Sequence, residues 1–186
     1  MTKLSRIYHS GSQTRSKSRV IRKCGCGVVA LADLLLYLVD RRPANYDRFC
    51  RKLQRRYLPT LPPFGIVGLS LVSAFNRICR RNSLPYHARW NTSRRTLWPR
   101  MEEMLTNNIP VILAIGPNLW NKKLPLHGAI TKTAVKGHYV TVTAMDDQTL
   151  TVHSWGREYR ISRKEFETYA KTTGYVTSNI LYISPT

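Results

Sequence analysis

The sequence predicts an α+β fold with an antiparallel sheet, and three observations carry that prediction. Helical periodicity dominates up to about Leu105, and runs rich in Val, Thr and Ile dominate after it, so helices come first and strands last. Two such runs, Tyr139–Ala144 and Thr149–Ser154, flank Asp146-Asp147, which is a hairpin signal. At 186 residues with 42% apolar content, the chain is long enough to fill one core.

The elements follow in chain order. From Gly27 to Leu38 apolar residues lie on nearly every side, the mark of a central helix, and Asp40-Arg41-Arg42-Pro43 stops it. Asn45 to Tyr57 reads as a second helix, with Tyr46, Phe49, Leu53 and Tyr57 at core spacing and Arg48, Arg51, Lys52, Arg55 and Arg56 outside. Residues 59–65 (Pro-Thr-Leu-Pro-Pro-Phe-Gly) read as a loop. Leu69 to Arg81 is a third helix and Tyr86–Trp90 a short strand. Thr92 or Ser93 can cap a fourth helix ending near Leu105, with Pro99 complicating its start. Val111–Ile115 reads as a buried strand, and residues 116–133 read as irregular. Beyond the hairpin come a strand at Glu158–Ile161 and a helix over Arg163–Tyr169. Ser162 and Glu165 form that helix's capping box, and a last strand covers Ile180–Ile183.

Charge is the unusual bulk property. Thirty Lys and Arg against ten Asp and Glu give a net charge of +20. Such a field attracts polyanions, including nucleic acid, and basic residues interleave with aromatic ones at Tyr46–Tyr57 and at His87–Arg100. The alternative is that these aromatics pack inward while the arginines are solvated. Residues 1–23 contain seven basic residues and no acid, and residues 1–17 are read as a basic flexible arm. That arm lacks the apolar core of a secretory signal, and the run Val28–Val39 is too short to span a bilayer. Cys24, Cys26, Cys50 and Cys79 have no framework spacing, so a reducing cytoplasm is the expected compartment.

Two short pieces carry the chemistry. Cys24-Gly25-Cys26-Gly27-Val28-Val29-Ala30 opens the central helix. A helix N-terminus lowers a thiol's pKa, and flanking glycines let a substrate approach backbone N–H groups, which favours Cys26 as a nucleophile over Cys24. A small buried cysteine is the bland alternative, and a Cys-x-Cys metal site would need two more ligands. No metal and no cofactor are expected. Gly137-His138-Tyr139-Val140-Thr141-Val142 opens a strand, and His138 can serve as general base or as a half-buried sheet-edge histidine. Asp146 and Asp147 lie about 25 Å along the strand from His138, too far to orient it. A hairpin turning on Asp146-Asp147 sets Trp155 opposite His138 and His153 opposite Val140. His153 is then a diagonal neighbour of His138, within reach as its orienting acceptor, and Trp155 can cover the imidazole. In that register Ser154 points away unless a bulge intervenes.

These pieces resemble the papain-like cysteine peptidases, specifically the bacterial double-glycine leader peptidases. Cys26-Gly27-Val28-Val29-Ala30 is similar to that branch's Cys-Gly-Pro-x-Ala element, with Val28 in place of proline. His138-Tyr139-Val140-Thr141-Val142 is similar to its His-Tyr/Phe-Val-x-Val strand, and His153-Ser154-Trp155-Gly156 to the papain Asn-Ser-Trp-Gly element, with histidine for asparagine. The resemblance implies a papain-like cysteine proteinase fold, with the peptidase domain at 18–186. It implies hydrolysis of peptide or isopeptide bonds by Cys26, His138 and His153, on a peptide or protein substrate, acidic ones included. A non-catalytic relative and a basic module contacting polyanions are the alternatives. The family's oxyanion glutamine, about six residues before the nucleophile, falls here on Val20, and Gln13 lies further upstream in the arm.

Overall fold

Local sequence signals place most elements. The computed structural model describes residues 1–60, 65–118 and 120–186. Its elements are β1 (Thr2–Lys3), a 3-10 turn (Gln13–Arg15), α1 (Arg19–Cys24), α2 (Cys26–Leu38), α3 (Tyr46–Tyr57) and α4 (Gly68–Arg81). Then come β2 (Tyr86–Trp90), α5 (Arg94–Thr106), β3 (Val111–Ile115), β4 (Leu124–His127) and β5 (Lys132–Val135). The chain ends with β6 (His138–Met145), β7 (Thr149–Ser154), β8 (Arg157–Ser162), α6 (Arg163–Thr173) and β9 (Ile180–Pro185). Asn45 caps α3, and Ser93, rather than Thr92, caps α5. The Ser162 hydroxyl accepts the Glu165 N–H at 3.4 Å and so starts α6. Of the loop expected at 59–65, residues 61–64 lie outside the described residues.

The strands form one antiparallel sheet in the order β2-β9-β3-β6-β7-β8-β4-β5, and β1 pairs with β6. Helix α2 packs on β6 and β3, and its residues from Gly27 to Leu35 are all buried. A helix apolar all round belongs in the centre, where no face meets water. Strand β6 is buried along nearly its whole length.

Two expectations need correction. The region 116–133, read as irregular, contains β4 and the start of β5, paired from Leu124↔Val135 to His127↔Lys132. Pro125 masks the strand signal, and it also limits β4's pairing with β8 to His127↔Arg160, because proline has no N–H to donate. Residues 1–17, read as a flexible arm, are laid along the domain. Thr2 and Lys3 pair with Met145 and Ala144, and the Leu4 N–H donates to the Thr143 carbonyl at 2.9 Å. Further on, the Ser16 hydroxyl donates to Asp47 at 2.5 Å. Low apolar content predicts mobility because few contacts offset the ordering entropy, but here backbone and short side-chain hydrogen bonds do so.

The hairpin register is the third difference, and it decides the site. Near the turn the pairs are Met145↔Leu150 and Ala144↔Thr151, but beyond it they are Val142↔Val152 and Thr141↔His153, with a bulge between Val142 and Ala144. One extra residue in β6 changes which side chains share a face. His153 therefore sides with Thr141, away from His138. Continuing the pairing one step sets Ser154 against Val140, on the His138 side.

Candidate active site

Gly25 separates α1 from α2 and caps both. A Cβ there would lie 2.5 Å from the Ile21 carbonyl oxygen, so only glycine allows the chain to turn this tightly. The break makes Cys26 the first residue of α2. Its thiol faces the backbone of Tyr139, the residue after His138. Burial nevertheless pushes the Cys26 thiol above its ordinary pKa, and the N–H groups of Tyr139 and Gly27 offset this only in part. The sequence leads to the expectation of a thiol pKa depressed by the helix start, but desolvation outweighs that effect here.

His138 is 8% exposed, and burial lowers its pKa to about 4, so the ring is neutral. Its Nε2 shares a 2.7 Å hydrogen bond with Ser154 Oγ. Trp155 stacks on the ring with centroids 4.6 Å apart and planes 22° from parallel. This cover has a local cause. Ser154 and Arg157 are partners across the β7–β8 turn, and the two residues between them, Trp155 and Gly156, have φ of 52° and 75°. A two-residue turn of this hand needs positive φ at both positions, which places Trp155 in a left-handed conformation that non-glycine residues rarely adopt. Among the described residues no hydrogen bond joins the Cys26 thiol to the His138 ring.

His153 does not orient His138. It pairs across the strands with Glu158, Nε2 to carboxylate 3.9 Å, and packs against the Tyr8 ring at 5.0 Å. Burial lowers its pKa, opposed by Glu158. His153 lines a small cavity of about 10 Å³ with Cys26, Asp33, Thr141, Trp155, Gly11 and Gln13, among others. That volume holds about one water. Asp33 lies two turns along α2 from Cys26 and is 4% exposed. It accepts the Tyr46 hydroxyl at 2.6 Å and the Gly11 N–H at 2.8 Å. Burial raises its pKa to about 7 against those two donors.

Three features escape the sequence. Ser154 becomes the histidine's partner through the bulge, and a polar residue directly before Trp-Gly was the one signal available. Gln13, in the sequence too far upstream, reaches the Cys26 cavity because α1 folds back between them, and its side-chain amide donates to the Arg22 carbonyl at 3.3 Å. Asp33 escapes as well, and the signal available was an acid inside an apolar helix, a pattern that demands buried partners.

No family model matches the chain, and no curated protein matches it. Solved structures do. One described as a C39-like peptidase from Bacillus anthracis superposes with a TM-score of 0.62 at 13% identity, covering 100% of this chain and 99% of the other. The peptidase domain of Streptococcus ComA, a bifunctional ABC transporter of a quorum-sensing pathway, gives a TM-score of 0.54 at 14% identity, covering 97% and 100%. The chain therefore has the papain-like α+β fold of these peptidases.

Proposed function

We propose that this chain is a cysteine peptidase, with residues 18–186 as its catalytic domain, acting on peptide or isopeptide bonds. The observation that supports this best is that Cys26, at the first position of a helix, lines one cavity with Ser154 and Trp155, the two residues that hold and cover the buried His138 ring, in a fold shared with two peptidase structures. In this reading Cys26 attacks the scissile carbonyl and His138 takes the thiol proton through Nδ1. Its Nε2–H, held on Ser154, selects that tautomer. Ser154 takes the orienting role first assigned to His153. A hydroxyl supplies a dipole rather than a charge, so it stabilises the imidazolium less than a carboxylate would. The backbone N–H groups at the start of α2 and the Gln13 amide are the oxyanion donors. His138 then returns the proton to the leaving amine, and water hydrolyses the thioester.

The test is hydrolysis of a mixed peptide library followed by mass spectrometry. Cys26→Ala abolishes cleavage, and His138→Ala lowers it about 10²–10⁴-fold, the range for loss of a general base. Ser154→Ala lowers it less, and His153→Ala leaves it within a few-fold of the parent. No cleavage by the parent chain, or equal cleavage by Cys26→Ala, overturns the reading in favour of a non-catalytic relative.

A second reading rests on a different surface. Arg55 and Arg56 end α3, Arg80 and Arg81 end α4, and all four are exposed. Arg56 and Arg81 flank the Tyr57 ring at 5.7 and 5.9 Å. None of the four has a carboxylate partner among the described residues. This cluster suits the phosphates of a nucleic acid strand. Binding of a labelled 20-mer RNA that weakens steeply with salt, and is lost on reversing the four charges, supports it; no binding at low salt removes it. Among the described residues no helix is long and apolar enough to cross a membrane. Among the described residues Cys24, Cys26, Cys50 and Cys79 form no disulfide with one another, which fits the cytoplasm as the proposed compartment.

A further inference from the structure

The N-terminal segment crosses the cleft at the nucleophile itself. Ser10, Gly11 and Gln13 line the cavity that also holds Cys26, His153 and Trp155. On the far wall, a Cβ at Gly156 would lie 3.6 Å from both the Ser10 carbonyl oxygen and Ser12 Cβ, so the segment lies against the β7–β8 turn. On the near wall, the Gly11 N–H donates to Asp33 at 2.8 Å, and Asp33 is itself held by Tyr46. The fit at Gly11 is close: a Cβ there would overlap the Tyr46 ring and hydroxyl and force Tyr46 off Asp33. Tyr8 completes the seat by packing on His153 and, at 6.0 Å, on Tyr37.

We propose that residues 8–12 form a built-in plug over Cys26, with Gly11 as its key and the Asp33–Tyr46 pair as the catch. The plug is a strap tethered at both ends. On one side β1 and Leu4 are bound to β6, and on the other the 3-10 turn is followed by α1. It can lift without detaching. Between those anchors its hold is mostly polar: Arg6 on the Tyr37 carbonyl and Asp40, His9 on Arg42, the Gly11–Asp33 bond and a Ser10 hydroxyl turned back on the Gly11 carbonyl at 3.3 Å, with Tyr8 as the one side chain packed against the core. Few apolar contacts under a segment of exposed and half-exposed residues place it at the low-stability end of a structure. The closed state excludes a peptide, because the cavity it leaves holds no more than a water. Hydrolysis therefore requires the strap to leave first. The proposal rests on the reading of Cys26 as the nucleophile only for that last consequence; that Ser10 and Gly11 share a water-sized cavity with the half-buried Cys26 is independent of it.

The experiment is the rate of iodoacetamide labelling of Cys26 in the full chain at pH 8, resolved by mass spectrometry from Cys50 and Cys79. Gly11→Val cannot seat beside Tyr46. Labelling of Cys26 is expected to rise about ten-fold or more, with faster hydrogen exchange in residues 8–13 and no change at Cys50 and Cys79. Faster exchange in the segment without faster labelling of Cys26 overturns the plug, and so does no change in either. Should Gly11→Val also expose Cys50 and Cys79, Asp33→Leu, which keeps the side chain's size and removes both acceptors, tests the same catch, and an unchanged Cys26 rate there overturns the proposal. Because labelling needs no turnover, a reactive Cys26 with no peptide cleaved keeps the plug and discards the peptidase reading.

Discussion

The two faces of the β6–β7 hairpin carry one histidine each, and they are built on opposite principles. The His138 face is dry: a neutral imidazole, one serine hydroxyl and a stacked indole. The His153 face is polar and incompletely filled: a carboxylate with two donors, a second histidine near Glu158, and a water-sized cavity that reaches round to Ser154 and Trp155. The difference teaches that position along a strand does not decide which histidine meets Ser154. A single bulged residue does, because facing alternates with every residue and one insertion reverses it.

The largest expected effect is that the two sides answer pH with opposite sign. Asp33 binds its proton more tightly when folded, with pKa about 7 against 3.8. Its contribution is full below about pH 3.8 and is lost as pH rises to about 7, amounting to about 4 kcal/mol at most. His138 is the mirror case. Its folded pKa, about 4 against 6.5, means that the unfolded chain binds more protons, so stability falls as pH drops from 6.5 to 4, by about 3 kcal/mol at most. Urea unfolding across pH 4–8 in Asp33→Asn and His138→Gln should remove one slope each. If either variant keeps the parent's profile, that face is not built as described.

A smaller effect isolates the indole. Trp155→Asn keeps a residue that accepts positive φ and so keeps the turn, but it strips the cover from His138. NMR titration should then find the His138 pKa moved up from about 4 toward 6.5. A pKa that stays put would mean that the rest of the pocket, not Trp155, keeps the ring dry. Smallest is the contrast between the partners. Ser154→Ala leaves a buried ring nitrogen unsatisfied and should cost about 1–3 kcal/mol in urea, more than His153→Ala, whose polar partner is the half-exposed Glu158 pair. Equal costs would show that the register does not separate the two residues energetically.

Most elements were legible because their causes are local. Apolar residues at every position of Val28–Leu35 except Asp33, the Ser162 cap and the alternation in Thr149–Ser154 each act within a few residues, and each element formed where it was read. Trp155 was placed over His138 from the wrong register and still arrives there, because the Trp-Gly turn swings the ring round. His153 was misplaced by the Thr143 bulge, which leaves no mark in the residue types of Thr141-Val142-Thr143-Ala144. Residues 1–17 were misread because their order comes from distant acceptors, Asp33, Asp47 and the Thr143 carbonyl, rather than from their own composition.

By itself, then, the sequence determined an α+β chain with a cysteine opening its central helix and a histidine opening its central strand, since helix and strand periodicity and turn chemistry are written within a few residues. Tertiary structure alone decided which polar residue stands behind His138, how deeply Cys26 is desolvated, and that Gly11 closes over it. Those follow from pairing parity and from close packing of segments remote in sequence, where a shift of one residue or one Cβ reverses the outcome.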